Sequence, residues 1–422
     1  MTQLDAGSEV AAPPRGLGRE FNLLWAGQSV SNVGDRVTLF VVPTVLIFLL
    51  GASAFQVGLV SMAQYLAIPI LSLVAGGLVD RMEIRSLLIG CDLVRLVAIG
   101  LIPLAWWLGF LSIPLLFGCV AAVSAATVFF NIGYVPMVSA IVPASELVRG
   151  NSRLETSRTV AELGGPALAG LAYHLLGVVA LVVDAASYLV SAVCLRSMRT
   201  RTPRVSGVRL WSRLGVGVRR NWQDPVLRRC TAGTLLANIG GPIFVTQLPV
   251  LAYQGLGLSA ATLGAVMSIA AVGAVVGALV ASRVDVWLGT GRMQGLAMVL
   301  HSLSGLGILA TLWLPAAPVL AVTLGLYGLF FAWYNICSQS IRQRHMPTED
   351  QAVIVGAYRT VTWGVIPISV FVGGCLVTAL DVRLDLLHAA LSAMAAATLI
   401  GVSAWVPLSR LQPLLDAEKV SA

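Results

Sequence analysis

Apolar stretches long enough to cross a lipid bilayer recur along this sequence from about residue 21 to residue 406. Each membrane span needs about 20 consecutive apolar residues. A chain in which 57% of the residues are hydrophobic and 11% are charged cannot bury that much apolar surface in water. We therefore predict an all-α membrane protein with about twelve transmembrane helices. The predicted spans are residues 21–49, 55–78, 86–108, 112–136, 156–176, 178–195, 230–253, 260–282, 293–313, 316–340, 353–379 and 385–406.

The segments that connect the predicted spans alternate between arginine-rich and arginine-poor. Because basic connections remain in the cytoplasm, this alternation predicts a multi-pass protein of the bacterial inner membrane with both termini cytoplasmic. It also accounts for the net charge of +8 without a nucleic-acid partner. The arginine-rich segments contain Arg15 and Arg19; Arg81 and Arg85; Arg149, Arg153 and Arg158; residues 196–229; Arg283 and Arg292; Arg342 and Arg344; and Arg410 with Lys419. The arginine-poor segments lie near residues 50–54, 109–112, 176–178, 254–259, 313–316 and 380–385, where Arg383 is flanked by Asp381 and Asp385.

The longest polar stretch, residues 196–229, divides the chain almost equally and contains ten arginines. We interpret it as a cytoplasmic linker with a short amphipathic helix near residues 208–222. Residues 1–20 are polar and lack the apolar core of a signal peptide, so the first span is expected to remain as a helix. The predicted parts are a cytoplasmic tail at 1–20, a six-helix bundle at 21–195, the linker at 196–229, a second six-helix bundle at 230–406 and a cytoplasmic tail at 407–422.

An internal repeat relates the two predicted bundles. Matching residues recur in order, with a displacement that drifts from 206 positions (238 − 32) to 204 (335 − 131) and 201 (367 − 166). Such a run indicates duplication, and same-direction repeats of six helices with a substrate path between them are a known transporter architecture. The fold is therefore predicted to be two pseudo-symmetric six-helix bundles. The matches pair Asn32, Gly34, Pro43, Gly51, Ser53, Ala54 and Gly58 with Asn238, Gly240, Pro249, Gly257, Ser259, Ala260 and Gly264, and Asn131, Pro143, Arg158 and Pro166 with Asn335, Pro347, Arg359 and Pro367.

The segment after the second span resembles the loop motif G-x-L-A-D-R-x-G-R-R of the major facilitator superfamily. Residues 184–188 and 224–228 add to this resemblance, which covers essentially the whole chain and is to the bacterial efflux branch that includes macrolide and siderophore exporters. The resemblance implies a conformational latch, although the same charged residues could serve only to fix the topology. The latch residues are Gly76, Asp80, Arg81 and Arg85 in the loop motif and Asp92 and Arg95 in the next span, whereas Val79, Glu83 and Ile84 depart from the motif.

A second motif lies in the fifth span, where residues 164–170 resemble the antiporter motif G-P-x-x-G-G. Gly165, Pro166 and Gly170 match it, and Ala169 replaces one glycine. The resemblance implies export by antiport. The alternative is ordinary helix packing, since small residues and a proline also permit close contact between helices.

Ionisable side chains inside the predicted spans are costly to insert into a membrane and therefore need a partner or a function. Asp35, Glu162 and Asp184 are candidate proton-coupling carboxylates, with Arg36 and Arg359 as the basic residues that tune them. Desolvated carboxylates can exchange protons near neutral pH, which is the chemistry of a proton-driven antiporter. The alternative for each is a permanent ion pair between helices.

Polar side chains within the spans are candidates for the substrate cavity, because a buried amide in lipid must find a partner. Some of them are expected instead to bond across helices. The candidate cavity residues are Asn32, Gln64, Asn131, Tyr134, Asn238, Gln247 and Asn335.

Together these features predict a secondary active transporter that exports a hydrophobic or amphipathic small molecule by proton antiport with alternating access. A siderophore exporter, an importer and a uniporter are the alternatives within the same fold. An enzyme is disfavoured because the four histidines are dispersed, and the chain itself is not expected to hydrolyse ATP because Lys419, the only lysine, forms no nucleotide-binding motif. A non-transporting receptor is disfavoured because the latch and fifth-span motifs are largely intact. We expect no metal and no cofactor, with the proton gradient as the energy source. The expected partners are the lipid bilayer, protons and the substrate, and the protein is expected to be a monomer.

Overall fold

The computed structural model describes residues 17–79, 83–143, 146–199, 210–345 and 351–421. These residues form an all-α structure in which long apolar helices run back and forth. The helices are α1 (Gly18–Phe48), α2 (Ala54–Val79), α3 (Ile84–Trp107), α4 (Ile113–Ile141), α5 (Leu147–Leu176), α6 (Leu181–Arg196), α7 (Leu210–Gln223), α8 (Pro225–Val250), α9 (Ala260–Leu288), α10 (Thr290–Leu306), α11 (Ala316–His345), α12 (Gln351–Gly364), α13 (Ile366–Asp381), α14 (Leu386–Ser403), α15 (Trp405–Leu408) and α16 (Leu411–Ser421).

The helices confirm the predicted multi-pass fold. In the described part of the chain, ten continuous helical stretches are long and apolar enough to cross a membrane, and the stretch Arg149–Arg196 contains both α5 and α6. Helix α2 adds a further apolar helix of 26 residues. The protein is therefore a membrane protein of about twelve spanning helices.

The two halves repeat one packing scheme. In the N-terminal half, α1 to α6, the first helix packs on the sixth, the third on the fourth and sixth, and the second on the fourth. In the C-terminal half, α8 to α14, helix α8 packs on α14, α10 on α11 and α14, and α9 on α11. The fifth span of each half packs on the first span of its own half and also crosses over, so that α5 packs on α9 and α13 packs on α2. These two crossed contacts join the halves.

The eleventh span is divided into α12 and α13 at Val365. Pro367 lies in the first turn of α13, where its missing N–H is tolerated, and it cannot extend an uninterrupted helix from α12. Its repeat partner Pro166 lies inside the continuous helix α5. The duplicated proline thus divides one span and leaves the other continuous.

The amphipathic helix expected near residues 208–222 is found as α7. It packs on α12, and the buried Asn221 amide donates to the Ile354 carbonyl over 2.9 Å. Helix α8 begins at Pro225, where the Asp224 carboxylate accepts from two N–H groups of the first turn. The apolar helix of the second half therefore starts five residues before the predicted bundle boundary at 230.

The two ends of the molecule differ in the arginine content of the connections between helices. The arginine-poor end carries the turns at residues 49–53, 108–112, 177, 256–259, 313–315 and 382–385. The arginine-rich end carries the first turn of α1, the last turn of α6 and the junction of α7 and α8 at Asp224.

Candidate transport site

The centre of the molecule contains two cavities, one in each half. The N-cavity has a volume of about 320 Å³ and is lined by α1, α2, α3, α4 and α6. The C-cavity has a volume of about 640 Å³ and is lined mainly by α8, α10, α11 and the α12–α13 span. Tyr65 on α2 belongs to the walls of both. The two cavities therefore meet at the boundary between the halves.

Asp35 is the acid that faces the N-cavity. It lies about midway along α1, lines the cavity and accepts a 2.6 Å hydrogen bond from the Tyr188 hydroxyl. Behind it, Asp184 on α6 is fully buried and accepts hydrogen bonds from the Thr38 and Ser187 hydroxyls. The structure thus brings together two of the three carboxylates predicted for proton coupling.

Asp92 and Arg95 lie in the same cluster. The Arg95 guanidinium donates to Asp92 over 2.5 Å, and both side chains are buried. Its carbon Cζ lies 4.3 Å from the centre of the Phe130 ring and 4.7 Å from that of Tyr188. We name Asp35, Asp92, Arg95, Asp184 and Tyr188 the acid cluster.

The acid cluster contains three carboxylates and one guanidinium. Asp35 interacts repulsively with both Asp92 and Asp184, whereas Arg95 attracts them. Burying an unpaired charge costs several kcal/mol, so a buried acid without a cation favours its neutral form. The arrangement is therefore able to hold at least one proton.

Glu162, the third predicted carboxylate, lies outside the acid cluster. It is bound by Arg36 over 2.8 Å and by Arg158 over 2.5 Å, and Arg158 also pairs with Glu155. The Arg36 side chain crosses α5 at Gly165, where a Cβ would lie only 2.5 Å from the Cβ of Arg36. Two arginines on one carboxylate form a structural ion-pair group.

The residues predicted for the latch are separated in the structure. Asp80 and Arg81 lie outside the described residues, and Gly76 belongs to the last turns of α2. Arg85 binds the C-terminal end of α6 through the carbonyls of Leu195 and Arg196. Asp92 and Arg95 belong to the acid cluster instead of the arginine-rich end, because their positions in α3 lie about two and about three turns deeper than Arg85.

The C-cavity is lined by aromatic and amide groups, including Asn238 and Asn335 of the predicted cavity residues. The Asn238 amide donates to the Thr362 carbonyl over 2.7 Å, and that of Asn335 to the Phe331 carbonyl over 3.0 Å. Arg359 also lies here, in the half opposite the acid cluster. Its guanidinium lies 5.7 Å from the centre of the Trp363 ring.

The other predicted cavity residues divide into two groups. Gln64 and Asn131 line the N-cavity, and the Gln64 carbonyl accepts from Ser124. Asn32, Tyr134 and Gln247 lie outside the walls of both cavities. Tyr134 packs on Phe130 and Gln247 is fully buried, because their helix faces point into the bundles.

Three residues of the site carried weaker signals in the sequence. The position of Arg342 near the end of a span predicts a residue that fixes the membrane topology, yet it lines the C-cavity. Thr38 lies one helical turn after Asp35 and bonds to Asp184. Tyr188 belongs to the conspicuous stretch 184–188, and its position one turn after Asp184 was the available signal for a shared face.

The antiport-like glycine motif helps to close the arginine-poor end. Gly170 on α5 lies against Gly264 on α9, where a Cβ added to Gly264 would lie 3.0 Å from the Cα of Gly170. In the other crossed contact, a Cβ at Gly58 would lie 3.0 Å from the Cα of Gly374. The repeat partners Gly58 and Gly264 therefore serve the same purpose in the two halves.

The first and seventh spans complete this closure. The Thr44 and Tyr253 hydroxyls lie 2.9 Å apart, and the Gln254 side chain donates to the Ala52 carbonyl over 3.2 Å. Phe48 packs on Tyr253 with ring centres 4.6 Å apart. The halves are thus sealed at the arginine-poor end, whereas the C-cavity extends to Arg342, in the last turn of α11 at the arginine-rich end.

A twelve-helix membrane protein with duplicated halves around a central cavity has the architecture of a secondary transporter. Residues 24–370 match the family profile described as Major Facilitator Superfamily. The chain therefore belongs to the major facilitator superfamily. Among curated proteins, none matches the sequence closely enough to count as a relative.

Solved structures of other transporters share this fold. A structure of the nucleoside transporter NupG covers 93% of this chain and 99% of its own, with 12% identity and a TM-score of 0.72. A bacterial homologue of the iron transporter ferroportin in the inward-facing state covers 92% of this chain and 98% of its own, with 16% identity and a TM-score of 0.65. A structure of such a homologue in the outward-facing state covers 92% and 99%, with 17% identity and a TM-score of 0.53.

Proposed function

We propose that this protein is a secondary active exporter that expels an amphipathic small molecule in exchange for protons. The observation that carries the proposal is the acid cluster, where three carboxylates share one guanidinium beside a cavity. Asp35 is the acid that exchanges a proton with the cavity, and Asp184 is the buried acid that interacts with it. Glu162 holds α1 to α5 through Arg36.

The orientation follows from the distribution of arginine. Because basic segments stay in the cytoplasm, we place the arginine-rich end and both termini on the cytoplasmic side of the bacterial inner membrane. The closed arginine-poor end then faces outward, and the structure is inward-facing. The larger TM-score with the inward-facing homologue, 0.65 against 0.53, supports this assignment.

Coupling requires that proton binding and substrate binding affect each other. In the inward-facing state a substrate entering from the cytoplasm occupies the central site, and the accompanying movement of the helices lets Asp35 release its proton. Rocking of the halves then breaks the glycine contacts at the outer end, so that the substrate leaves and Asp35 is protonated again. The resemblance to efflux transporters supports the outward direction.

The test of coupling is proton release from purified, detergent-solubilised protein in a weakly buffered solution with a pH indicator. A panel of amphipathic compounds, with anionic, neutral and cationic members, is added to the wild type and to Asp35→Asn, Asp184→Asn and Glu162→Gln. We expect release from the wild type and from Glu162→Gln, and loss of release in the two aspartate variants. A compound that binds to wild-type protein without proton release would contradict antiport and favour a uniporter.

The direction is tested in vesicles. Inverted membrane vesicles with an acidic interior are expected to accumulate the bound compound, because that geometry corresponds to export from the cell. Accumulation only in right-side-out vesicles with an acidic exterior would identify an importer. Protein with Asp35→Asn provides the uncoupled control in both preparations.

A further inference from the structure

The C-cavity contains two guanidinium groups, those of Arg342 and Arg359. None of its described wall residues is an aspartate or a glutamate. Among the described ion pairs, none involves either arginine, in contrast to Arg36, Arg95 and Arg158 of the N-terminal half. The C-cavity therefore presents positive charge that no acidic side chain of the described residues neutralises.

Arg342 is held in place by neutral groups. Its Nε donates to the Ser338 carbonyl over 2.9 Å, and its guanidinium lies 3.8 Å from the centre of the Tyr358 ring. The Tyr358 hydroxyl donates in turn to Thr234 over 3.0 Å, and Thr234 also bonds to Tyr334. These contacts orient the guanidinium, and within the part of the chain that the structure describes no carboxylate binds its two terminal nitrogens. A positioned guanidinium of this kind suits a planar anion such as a carboxylate.

Arg359 provides the second cation of the C-cavity. It lies on α12, its side chain is exposed and it contacts the Trp363 ring from 5.7 Å. The exposed guanidinium is therefore accessible to an anion that enters the cavity. Because two cations line the same cavity, the cavity favours a negatively charged ligand.

The deeper walls of the C-cavity are aromatic. Tyr327 and Phe331 lie on α11, about 22 Å and about 16 Å from Arg342 along the helix at 1.5 Å per residue. His301 packs between them, with ring centres 3.7 Å from Tyr327 and 5.3 Å from Phe331. The cavity therefore changes from cationic at the arginine-rich end to aromatic in its interior. A volume of about 640 Å³ holds a ligand of several rings.

We propose that the transported molecule is an amphipathic organic anion, whose acidic group binds Arg342 and Arg359 and whose apolar body packs on Tyr327 and Phe331. This inference rests on the proposed function, since it names the substrate class for the same central site. It narrows that function from amphipathic molecules in general to those with a carboxylate, sulfonate or phosphate. Such an anion comes either from the aqueous phase or from the headgroup of a membrane lipid.

The charge preference is tested with three fluorescent probes that share one pyrene body: 4-(1-pyrenyl)butyrate, its amide, and 4-(1-pyrenyl)butylamine. Binding is measured by fluorescence anisotropy on purified full-length protein in neutral-lipid nanodiscs. We expect the carboxylate to bind at least about tenfold more tightly than the amide, as for hydrogen bonds to a charged group, and the ammonium probe to bind least. Equal binding of all three probes would overturn the proposal.

The residues are tested with Arg342→Gln, Arg359→Gln and the double variant, beside Arg383→Gln as a control at the exposed arginine-poor end. Each cavity variant is expected to weaken butyrate binding about fivefold to tenfold without changing amide binding, because only the anion loses a partner. Arg342→Lys, which keeps the charge, is expected to recover part of the affinity. Monodisperse elution and an unchanged melting temperature show that a variant is folded. A double variant that still prefers the carboxylate would place the anion site elsewhere.

The two sources of the anion are separated by lipid composition. Phosphatidylglycerol added to the nanodiscs weakens butyrate binding to the wild type if a lipid headgroup occupies the arginines. If butyrate binding is unchanged by phosphatidylglycerol, the site takes a soluble anion. Butyrate binding to the wild type without proton release would leave the anion site intact while the coupling mechanism fails, and proton release on binding of a probe that does not need Arg342 or Arg359 would do the reverse, so the two proposals are tested separately.

Discussion

The two halves of this transporter share a packing scheme and differ in charge at the centre. The N-terminal half buries Asp92, Asp184 and Arg95 beside the half-buried Asp35, and the C-terminal half presents two guanidinium groups and no described carboxylate in its cavity wall. With the displacement of 206, Asp35 corresponds to Gly241 and Arg95 to His301. Arg95 packs on the rings of Phe130 and Tyr188, whereas His301 packs on Tyr327 and Phe331.

The duplicated helices therefore kept the glycine contacts that close the transporter and changed the side chains that line its cavities. Gly58 and Gly264 are repeat partners, and each still meets a glycine of the opposite half. Close backbone contact depends on the absence of a side chain, so these positions tolerate little variation. The central positions face cavities, where a new side chain changes chemistry without breaking the packing.

The largest expected effect follows from Gly264→Leu. Its side chain would meet the backbone of Pro166 and Gly170, where a Cβ lies 2.5 Å and 3.0 Å from the nearest backbone atoms, so the outer end can no longer close. We expect transport to fall by more than about tenfold, since a blocked conformational step limits the cycle. Spin labels at Ser53 and Ser259 are expected to move apart in distance measurements. Gly118→Leu, where a Cβ has open space, is the matched control, and equal loss there would contradict a closure effect.

Arg95→Gln is expected to be the most destabilising change at the centre. It leaves Asp92 buried without a cation, and removal of one partner from a buried pair costs about 3–5 kcal/mol. The measurement is thermal unfolding of the detergent-solubilised protein. Adding Asp92→Asn is expected to recover most of the loss, and His301→Gln in the other half is expected to destabilise less. An Arg95→Gln protein as stable as the wild type would contradict the pairing seen in the structure.

A smaller pair of changes separates the two halves by function. Tyr188→Phe removes the 2.6 Å hydrogen bond to Asp35, and Tyr358→Phe removes the 3.0 Å bond to Thr234 while keeping the ring under Arg342. Each lost bond costs about 1 kcal/mol, roughly fivefold in an equilibrium constant. We expect Tyr188→Phe to alter the pH dependence of transport and Tyr358→Phe to weaken binding of 4-(1-pyrenyl)butyrate. If Tyr188→Phe weakened probe binding and Tyr358→Phe altered the pH dependence, the proposal that protons and the anion bind in separate halves would be contradicted.

The smallest expected effect concerns the first helix of each half. The Asp224 carboxylate caps α8 by accepting from the Val226 and Leu227 N–H groups, whereas α1 begins after Leu17 without a side-chain cap. Asp224→Ala is expected to lower the free energy of unfolding by about 1 kcal/mol. Asp224→Asn, which can still accept these bonds, is the control, and thermal unfolding measures both. An equal loss in the two variants would argue that charge and not capping matters there.

The sequence alone was sufficient for the fold and only partly sufficient for the site. Span length, arginine placement and the repeat around Gly58 and Gly264 depend on linear spacing, which a sequence contains. The sequence does not predict that Asp92 and Arg95 lie beside Asp35 and Asp184, because helix rotation, and hence the face they occupy, is set by packing against α4 and α6. Arg342 was read as a topology residue because a basic residue near the end of a span serves either purpose.

The sequence also does not show which side chains pair with Glu162. An acid within a span is a candidate for proton exchange until its partners are known. In the structure Arg36 and Arg158 both bind it, and Arg36 is on α1, far along the chain from α5. Long-range pairing of this kind decides between an ion pair and a proton site, and it has no linear signature in one sequence.

The separation of the acid cluster from the two cavity arginines has an electrical consequence. A proton carried inward and a monovalent anion carried outward both move charge in the direction that an inside-negative membrane potential favours. Each elementary charge is worth about 2.3 kcal/mol per 100 mV, so one cycle would draw about 4.6 kcal/mol from that potential alone. The exporter would then continue to work where the pH gradient has vanished, as a device powered chiefly by voltage.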